Sequence, residues 1–318
     1  FCADIFERKV TDILIPGGKD YPALIGDDNL PFENAGVLKT TGFELQAKWS
    51  DKLSNGFAYS VGVALSDDKA EVLSYPSNPT NKIGDGVLYK GYTVGDIWGY
   101  ETGGILQESD FDGVGPNGKP LYHGAYFKGG QPYPGYVWYQ DLDHDGVITS
   151  GLSTVDDPGD KKVIGNNAPR YRYNITANFQ YKGFDLDLMF QGVGKRDYWL
   201  KDVSSYWGGG AGSWETYNQS WTPERTDAKF PMYGSGIGSY AQSGYLLDAS
   251  YIKLKQVILG YTFPKALIGK VGLKKLRLNI AAYNLFTLSD VPKYYDSDYL
   301  SDAYPPKRTF SVGIQVGF

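Results

Sequence analysis

The sequence predicts an all-β chain, the wall of an antiparallel transmembrane β-barrel, and three observations carry that prediction. Apolar and polar residues alternate with period two over long segments, so each segment has one apolar and one polar face. Most of these segments reach the length of about 9–11 residues that a tilted strand needs to cross a bilayer, where globular strands usually stop near 5–6. The connections between them alternate short and long, as in bacterial barrels with tight periplasmic turns and long extracellular loops.

Eight strands follow in order: 2–14, 34–49, 57–69, 170–181, 184–193, 249–262, 275–287 and 307–318. The second alternates Phe43, Leu45, Ala47 and Trp49 with Glu44, Gln46 and Lys48. The fourth alternates Tyr171, Tyr173, Ile175, Ala177, Phe179 and Tyr181 with Arg172, Asn174, Thr176, Asn178 and Gln180. The last is the cleanest, with Phe310, Val312, Ile314, Val316 and Phe318 set against Ser311, Gly313, Gln315 and Gly317. The short connections are 50–56, 182–183 and 263–274, with a helical turn expected at 264–271; the long ones are 15–33, 70–169, 194–248 and 288–306. If 50–56 is periplasmic, every later short turn lies on that side and the chain ends there. The span 70–169 must then hold zero or two further strands, for which Leu88–Tyr100 and Tyr136–Asp141 are the candidates. A terminal aromatic on the last strand, Phe318, is the expected signal for outer-membrane insertion.

Composition agrees with this class and excludes others. The 318 residues carry a formal net charge of −5, which gives no reason to expect a nucleic-acid partner. A mean hydropathy of −0.36 suits a barrel, whose strands are apolar on one face only. The 27 Tyr, 15 Phe and 7 Trp suit a membrane boundary, because Tyr and Trp join an apolar ring to a polar tip. Cys2 is the lone cysteine and His123 and His144 the two histidines, so disulfide frameworks, Cys-based zinc and Ser–His triads have little material. No run of about 18 apolar residues reads as a spanning helix. The chain opens without Met or signal peptide, inside a strand, and is read as a fragment.

Three features are candidates for chemistry. Asp141-x-Asp143-x-Asp145-Gly146-Val147 matches the oxygen-donor spacing of a calcium loop: three carboxylates, a Gly for the turn and the Val147 carbonyl. The closing acid is missing, since Leu152 holds its place; Asp156, Asp157 or Asp160 are the substitutes. An acidic surface turn without metal is the other reading, and Ca2+ is the one cofactor expected. Loop aromatics form the second feature: Tyr133, Tyr136, Trp138, Tyr139, Trp199, Tyr206, Trp207, Trp214, Tyr217 and Trp221. Most read as boundary or packing rings. Trp207, Trp214 and Tyr206 are the candidate substrate contacts, because Gly208–Gly210 and Gly212 keep their loop open. The third is the polar strand face, including Glu44, Gln46, Lys48, Lys253, Lys255 and Arg277, which lines a lumen in a barrel and faces water in a sandwich. Gly208–Gly210 lacks the Lys-Ser/Thr and helix of a phosphate loop, and no catalytic residue is expected.

Several strings, in this order and spacing, resemble the SusC/RagA-like group of TonB-dependent outer-membrane transporters, specifically their C-terminal part. They include Lys39-Thr40-Thr41-Gly42-Phe43-Glu44-Leu45, Gly91-Tyr92-Thr93-Val94-Gly95-Asp96 with Trp98-Gly99-Tyr100, and Asp141-Leu142-Asp143-His144-Asp145-Gly146-Val147-Ile148. They continue through Ile164-Gly165-Asn166, Tyr181-Lys182-Gly183-Phe184-Asp185, Phe190-Gln191-Gly192, Tyr251-Ile252-Lys253-Leu254-Lys255 and Ala282-Tyr283-Asn284-Leu285-Phe286 to Phe318. The resemblance implies that the whole chain, 1–318, is the C-terminal part of a roughly 22-stranded barrel, with plug and TonB box absent from it. It also implies a Gram-negative outer-membrane location, import of oligosaccharides or peptides driven through TonB, and a SusD-like surface lipoprotein as a lid. A secreted, calcium-stapled, carbohydrate-binding β-sandwich is the alternative. A partial barrel would leave strand edges open in lipid, so this stretch alone is not expected to insert stably.

Overall fold

The computed structural model describes residues 1–17, 31–199, 217–235, 240–292, 295–300 and 306–318. Eight long strands make one antiparallel sheet: β1 (Cys2–Pro16), β2 (Phe32–Lys52), β3 (Ala58–Ser74), β4 (Arg170–Tyr181), β5 (Phe184–Lys195), β6 (Tyr251–Thr262), β7 (Lys275–Leu288) and β8 (Thr309–Gly317). Their spatial order is their chain order, a linear meander with β1 and β8 at its two ends. Every expected strand is present, with ends shifted by a few residues.

The register fixes the polarity of the wall. Lys52 pairs with Ala58, Tyr181 with Phe184, Thr262 with Arg277, and Lys275 with Gly317. Ala58 also faces Gln180, and Phe184 faces Tyr261. All the short turns, and the C-terminal end, therefore lie on one rim. The turn after β6 holds the expected helical stretch, α1 (Lys265–Ile268) followed by a 3-10 turn. Rings collect at this rim: Phe57 lies beside Tyr59, Phe179 and Tyr181, and Tyr261 contacts Phe184 and Phe263. Such a belt suits the lipid–water boundary, where each ring finds an apolar and a wet side.

Between β3 and β4 the open count resolves to zero wall strands, because Tyr173 pairs directly with Leu65. The two candidate segments instead contribute short ribbons outside the wall: Asp96–Tyr100 pairs with Lys161–Asn166, and Thr102–Ile105 with Val137–Tyr139. Both segments are rich in β-favouring residues, but they close locally within one long loop rather than reaching across a membrane.

The two faces are unlike. Ile5, Val312, Phe310 and Ile280 stand on one face with more than half of their surface open. A sandwich would bury that face under a second sheet. Here the apolar face of one large sheet is exposed, as lipid-facing strands require and a soluble domain of this size avoids. No helix of the described residues is long and apolar enough to cross a membrane, which says nothing of strands.

Candidate functional site

The opposite face carries a cross-strand polar lattice. Directly paired residues share a face, so Ser60, Asn178 and Asp187 form one row, with Ser60 Oγ donating to Asn178 Oδ1 at 2.9 Å and Asn178 Nδ2 donating to Asp187. Arg277 on β7 reaches over β6 to Asp185 on β5, donating through Nε at 3.2 Å and through Nη2. The residue crossed is Gly260, where a Cβ would stand 2.4 Å from both Arg277 Nη2 and Asp185 Oδ2, so only Gly leaves room for the pair. Glu44, Gln46, Arg172, Asn174 and Gln191 line a hollow of about 540 Å³ on this face.

A β-bulge re-aims the face at β6. Phe190 pairs with Leu254 and Met189 with Gln256, leaving Lys255 as the extra residue. The bulge shifts the alternation by one, so Leu254 and Val257 share the outer face and Lys253, Lys255 and Gln256 turn inward. Lys253 is 3 % exposed. Its Nζ donates to Asp296 Oδ1 at 2.8 Å and Asp298 Oδ2 at 2.8 Å, and Lys255 Nζ reaches Asp298 at 3.0 Å. These bonds pin the loop after β7 to the inner wall. Burial pushes the Asp298 carboxyl up, but hydrogen bonds from Lys253, Tyr251 and Lys255 outweigh it and hold it below its ordinary value.

The acidic loop is brought together as the spacing predicts. One carboxylate oxygen from each of Asp141, Asp143 and Asp145 lies within 4.8 Å of the others. Asp141 Oδ2 accepts from Gly146 N at 2.9 Å, and Asp145 Oδ1 accepts from Val147 N at 2.8 Å. His144 and Gly146 both sit at positive φ, giving the loop its tight turn. The other Asp141 oxygen is buried and has no protein partner. Desolvation raises Asp141, but the backbone donors of Gly146 and His144 more than offset it and lower its pKa. The Asp145 N–H favours the Asp143 carboxylate, yet desolvation and repulsion from Asp160, Asp145 and Asp141 prevail and raise it. Three converging oxygens and one unsatisfied oxygen fit a hard cation with 2.3–2.6 Å bonds.

Of the three substitutes for the closing acid, Asp160 has another duty. It is 0 % exposed, and its two oxygens accept from Leu142 N and Thr149 N, both at 2.7 Å. It clasps the base of the loop. Asp157 is engaged by Leu152 N at 3.2 Å, and Asp156 is exposed.

Among the loop aromatics, Tyr139 and Trp221 are buried, and Trp221 Nε1 donates to Gln107 at 2.9 Å. Tyr133 packs on Tyr136, and Trp138 lies over Gly103. These are packing rings, as expected for most of the set. Trp207, Trp214 and Tyr206 lie outside the described residues. Residues not singled out in the sequence, Lys161 and Tyr240, join Trp98 and Trp199 around a second cleft. Trp98 had a signal in the Trp98-Gly99-Tyr100 string; Lys161 and Tyr240 had none.

The fold and the sidedness of its strands define an antiparallel transmembrane β-barrel wall. No protein-family model matches the chain. Among characterised proteins it is similar to TonB-dependent receptor P3 of Formosa agariphila, 26% identical over 99% of this chain and 32% of the relative. TonB-dependent receptor P26 of the same organism is 24% identical over 91% of this chain and 30% of its own length. Among solved structures, the RagAB peptide transporter superposes with a TM-score of 0.69 at 19% identity, covering 99% of this chain and 33% of that one. The RagAB peptide importer in its open-open state gives 0.69 at 20%. The SusC/RagA-like resemblance read from the sequence is thus borne out by TonB-dependent receptors in sequence and by RagAB in fold. The chain spans about a third of the length of these relatives. They are receptors and transporters rather than enzymes.

Proposed function

We propose that this chain is the C-terminal part of the barrel of an outer-membrane, TonB-dependent nutrient importer of the SusC/RagA-like kind. It supplies lumen wall and extracellular loops, while plug and TonB box lie elsewhere in the whole protein. The observation that carries the reading is a wall apolar outside and polar inside, matched along 99% of its length by a TonB-dependent receptor. The cargo is an oligosaccharide or a peptide, held in the loop region beneath a SusD-like surface lipoprotein. Phe318, more than four-fifths exposed beyond the end of β8, serves as the insertion signal. The exposed apolar face speaks against the sandwich alternative.

The test is uptake by cells that express the full-length protein. Import that stops with an uncoupler and with deletion of TonB is the expected result. Uptake indifferent to both would leave a passive pore and sink the energised reading. A lipoprotein that co-purifies with the heat-modifiable barrel is expected as well.

The acidic loop is assigned a Ca2+, held by Asp141, Asp143, Asp145 and the Val147 carbonyl, with a stapling role. The buried, unpartnered Asp141 oxygen supports it. Calorimetric titration of the full-length protein with calcium should give a dissociation constant of about 0.1–1 mM, the range of extracellular modules. The double variant Asp143→Asn, Asp145→Asn should lose it. Heat of binding absent from wild type, or retained in the variant, removes the assignment.

A further inference from the structure

Two neighbouring turns on the short-turn rim, 182–183 between β4 and β5 and 263–274 between β6 and β7, hold four lysines and no acid: Lys182, Lys265, Lys270 and Lys274. The chain as a whole has 31 basic against 36 acidic residues, so four unopposed cations here run against its general balance. The turns are adjacent because β5 pairs with β6. All four lysines are exposed. Among the described residues, lysine forms ion pairs at Lys39, Lys162, Lys253 and Lys255, so none of these four is paired with a carboxylate. Asp185, just past the first turn, is taken by Arg277 on the inner face.

The cations stand on the lipid side of the rim. Lys274 continues the outer-face alternation of Ile280, Leu278 and Leu276, whereas Lys275 continues the inner one of Asn279 and Arg277. Lys182 Nζ lies 5.0 Å from the ring centre of Tyr181, which is in phase with Phe179 and Ile175 on the outer face of β4. Outer-face rows begin directly beside the turns. Phe184 pairs with Tyr261 and Tyr261 with Leu278; in the next row Leu186 pairs with Leu259 and Leu259 with Ile280. Phe184, Leu259, Leu278 and Ile280 each keep more than two-fifths of their surface open. In the second turn Ile268 is buried and anchors α1, while Leu267 and Val271, one helical turn apart, are left open between Lys265 and Lys270.

Unpaired lysines beside rings and open aliphatic groups, at the end of a lipid-facing sheet, fit the headgroup layer of a membrane. Lysine lays its methylene stem along apolar surface and carries its ammonium out to phosphate depth. Segments that seat themselves in the interface join lysines to open aliphatic side chains in the same way. Short barrel turns lie on the periplasmic side, so the leaflet concerned is the periplasmic one. An acidic protein fits this surface less well, because the cations run straight into apolar rows that the bilayer already covers.

We propose that the paired turns 182–183 and 263–274 form a binding site for an anionic phospholipid of the periplasmic leaflet. The headgroup phosphate sits among Lys182, Lys265, Lys270 and Lys274, and the acyl chains lie along the outer face of β5, β6 and β7. The occupant is a lipid and not cargo, so the site goes beyond the import reading and does not depend on it.

The experiment uses the affinity-tagged full-length protein in neutral detergent micelles. The probes are phosphatidylglycerol and phosphatidylcholine that carry the same fluorescent acyl chain. At about 0.05 M salt phosphatidylglycerol should bind about fivefold more tightly, and at about 1 M salt the two should agree within about twofold. The quadruple variant Lys182→Gln, Lys265→Gln, Lys270→Gln, Lys274→Gln should lose the preference, and arginine at the same four positions should keep it. The matched loop variant Lys90→Gln, Lys119→Gln, Lys128→Gln, Lys229→Gln removes as many exposed cations away from the wall and should bind as wild type does. Free glycerol phosphate at the same concentration should not displace the lipid, since it brings no acyl chains. Folding of each variant is read from the heat-dependent gel shift. The proposal is overturned if wild type shows no preference, if the rim glutamine variant retains it, if the loop variant loses it equally, or if glycerol phosphate displaces the lipid. Absence of a lipid preference, with a periplasmic protein that wild type retains and the rim variant loses, would overturn it in favour of a protein dock. Cargo and energy play no part in this binding, so failure of energised import leaves it standing, and its failure leaves the import reading standing.

Discussion

In the wall, one arrangement repeats: each strand pairs with its chain neighbour, apolar groups stand outward, and polar groups bond across two or three strands, as in Ser60–Asn178–Asp187. In the loop cap above it, almost nothing repeats. Order there comes from nests of rings such as Tyr100, Phe127, Tyr139 and Tyr240, and from single carboxylates that clasp the backbone, such as Asp160. The physical reason is the solvent. Lipid supplies no hydrogen bonds, so a spanning backbone must close its own ladder and leaves it only at single bulges such as the one at Lys255. Water at the cap satisfies loose backbone groups, so the chain there can follow side-chain packing and build concave, ring-lined space.

The largest test of this contrast acts where the two regions meet. Lys253→Ala leaves the half-buried Asp296 and Asp298 without their buried cation, and Asp298 keeps only Lys255. The cost is up to about 3–5 kcal/mol, the value for a fully buried pair. Limited proteolysis of the full-length protein should then cut within 288–306 while the heat-dependent gel shift persists. A cap loop still resistant to protease would mean that the lysine is not what pins it.

The sidedness of the wall comes next. Ile280→Arg, on the outer face, should destabilise the barrel by about 2–4 kcal/mol in urea titrations in liposomes, while Ser311→Arg, on the inner face, should cost well under 1 kcal/mol. Ser311 pairs with Ala281, the inward neighbour of Ile280. Equal costs at the two positions would contradict the assignment of faces.

Smaller still is the clasp within the cap. Asp160→Asn keeps the shape but loses one carboxylate acceptor for Leu142 N or Thr149 N, at a local cost of about 1–3 kcal/mol. Amide exchange should accelerate in 141–150 and leave β4 and β5 untouched. Unchanged exchange in that loop would show that the DxDxDG turn holds itself without Asp160.

How much of this could be read in advance follows the same division. Each wall strand was legible because the outer face must be apolar at every second residue, and Phe310 to Phe318 state that rule almost without exception. The bulge at Lys255 was not, since Ile252, Leu254, Val257 and Leu259 change phase there and only pairing with Met189 and Phe190 reveals it. The acidic turn was legible because its donors are two residues apart on one stretch of chain. The cleft was not, because Lys161 and Tyr240 lie 79 positions apart and meet only when the two longest loops fold together.

The sequence by itself determined the class of fold, the place and sense of the eight strands that do form the wall, and the acidic turn, since each depends on the near neighbours of a residue and on its solvent. Only the tertiary structure decided that 75–169 adds no strand to the wall, that Asp160 clasps its loop, and that Tyr240 stacks on Phe127. Those outcomes depend on contacts between distant segments. Loop-closure entropy grows so slowly with length that many distant partners are nearly equivalent until side-chain packing selects one.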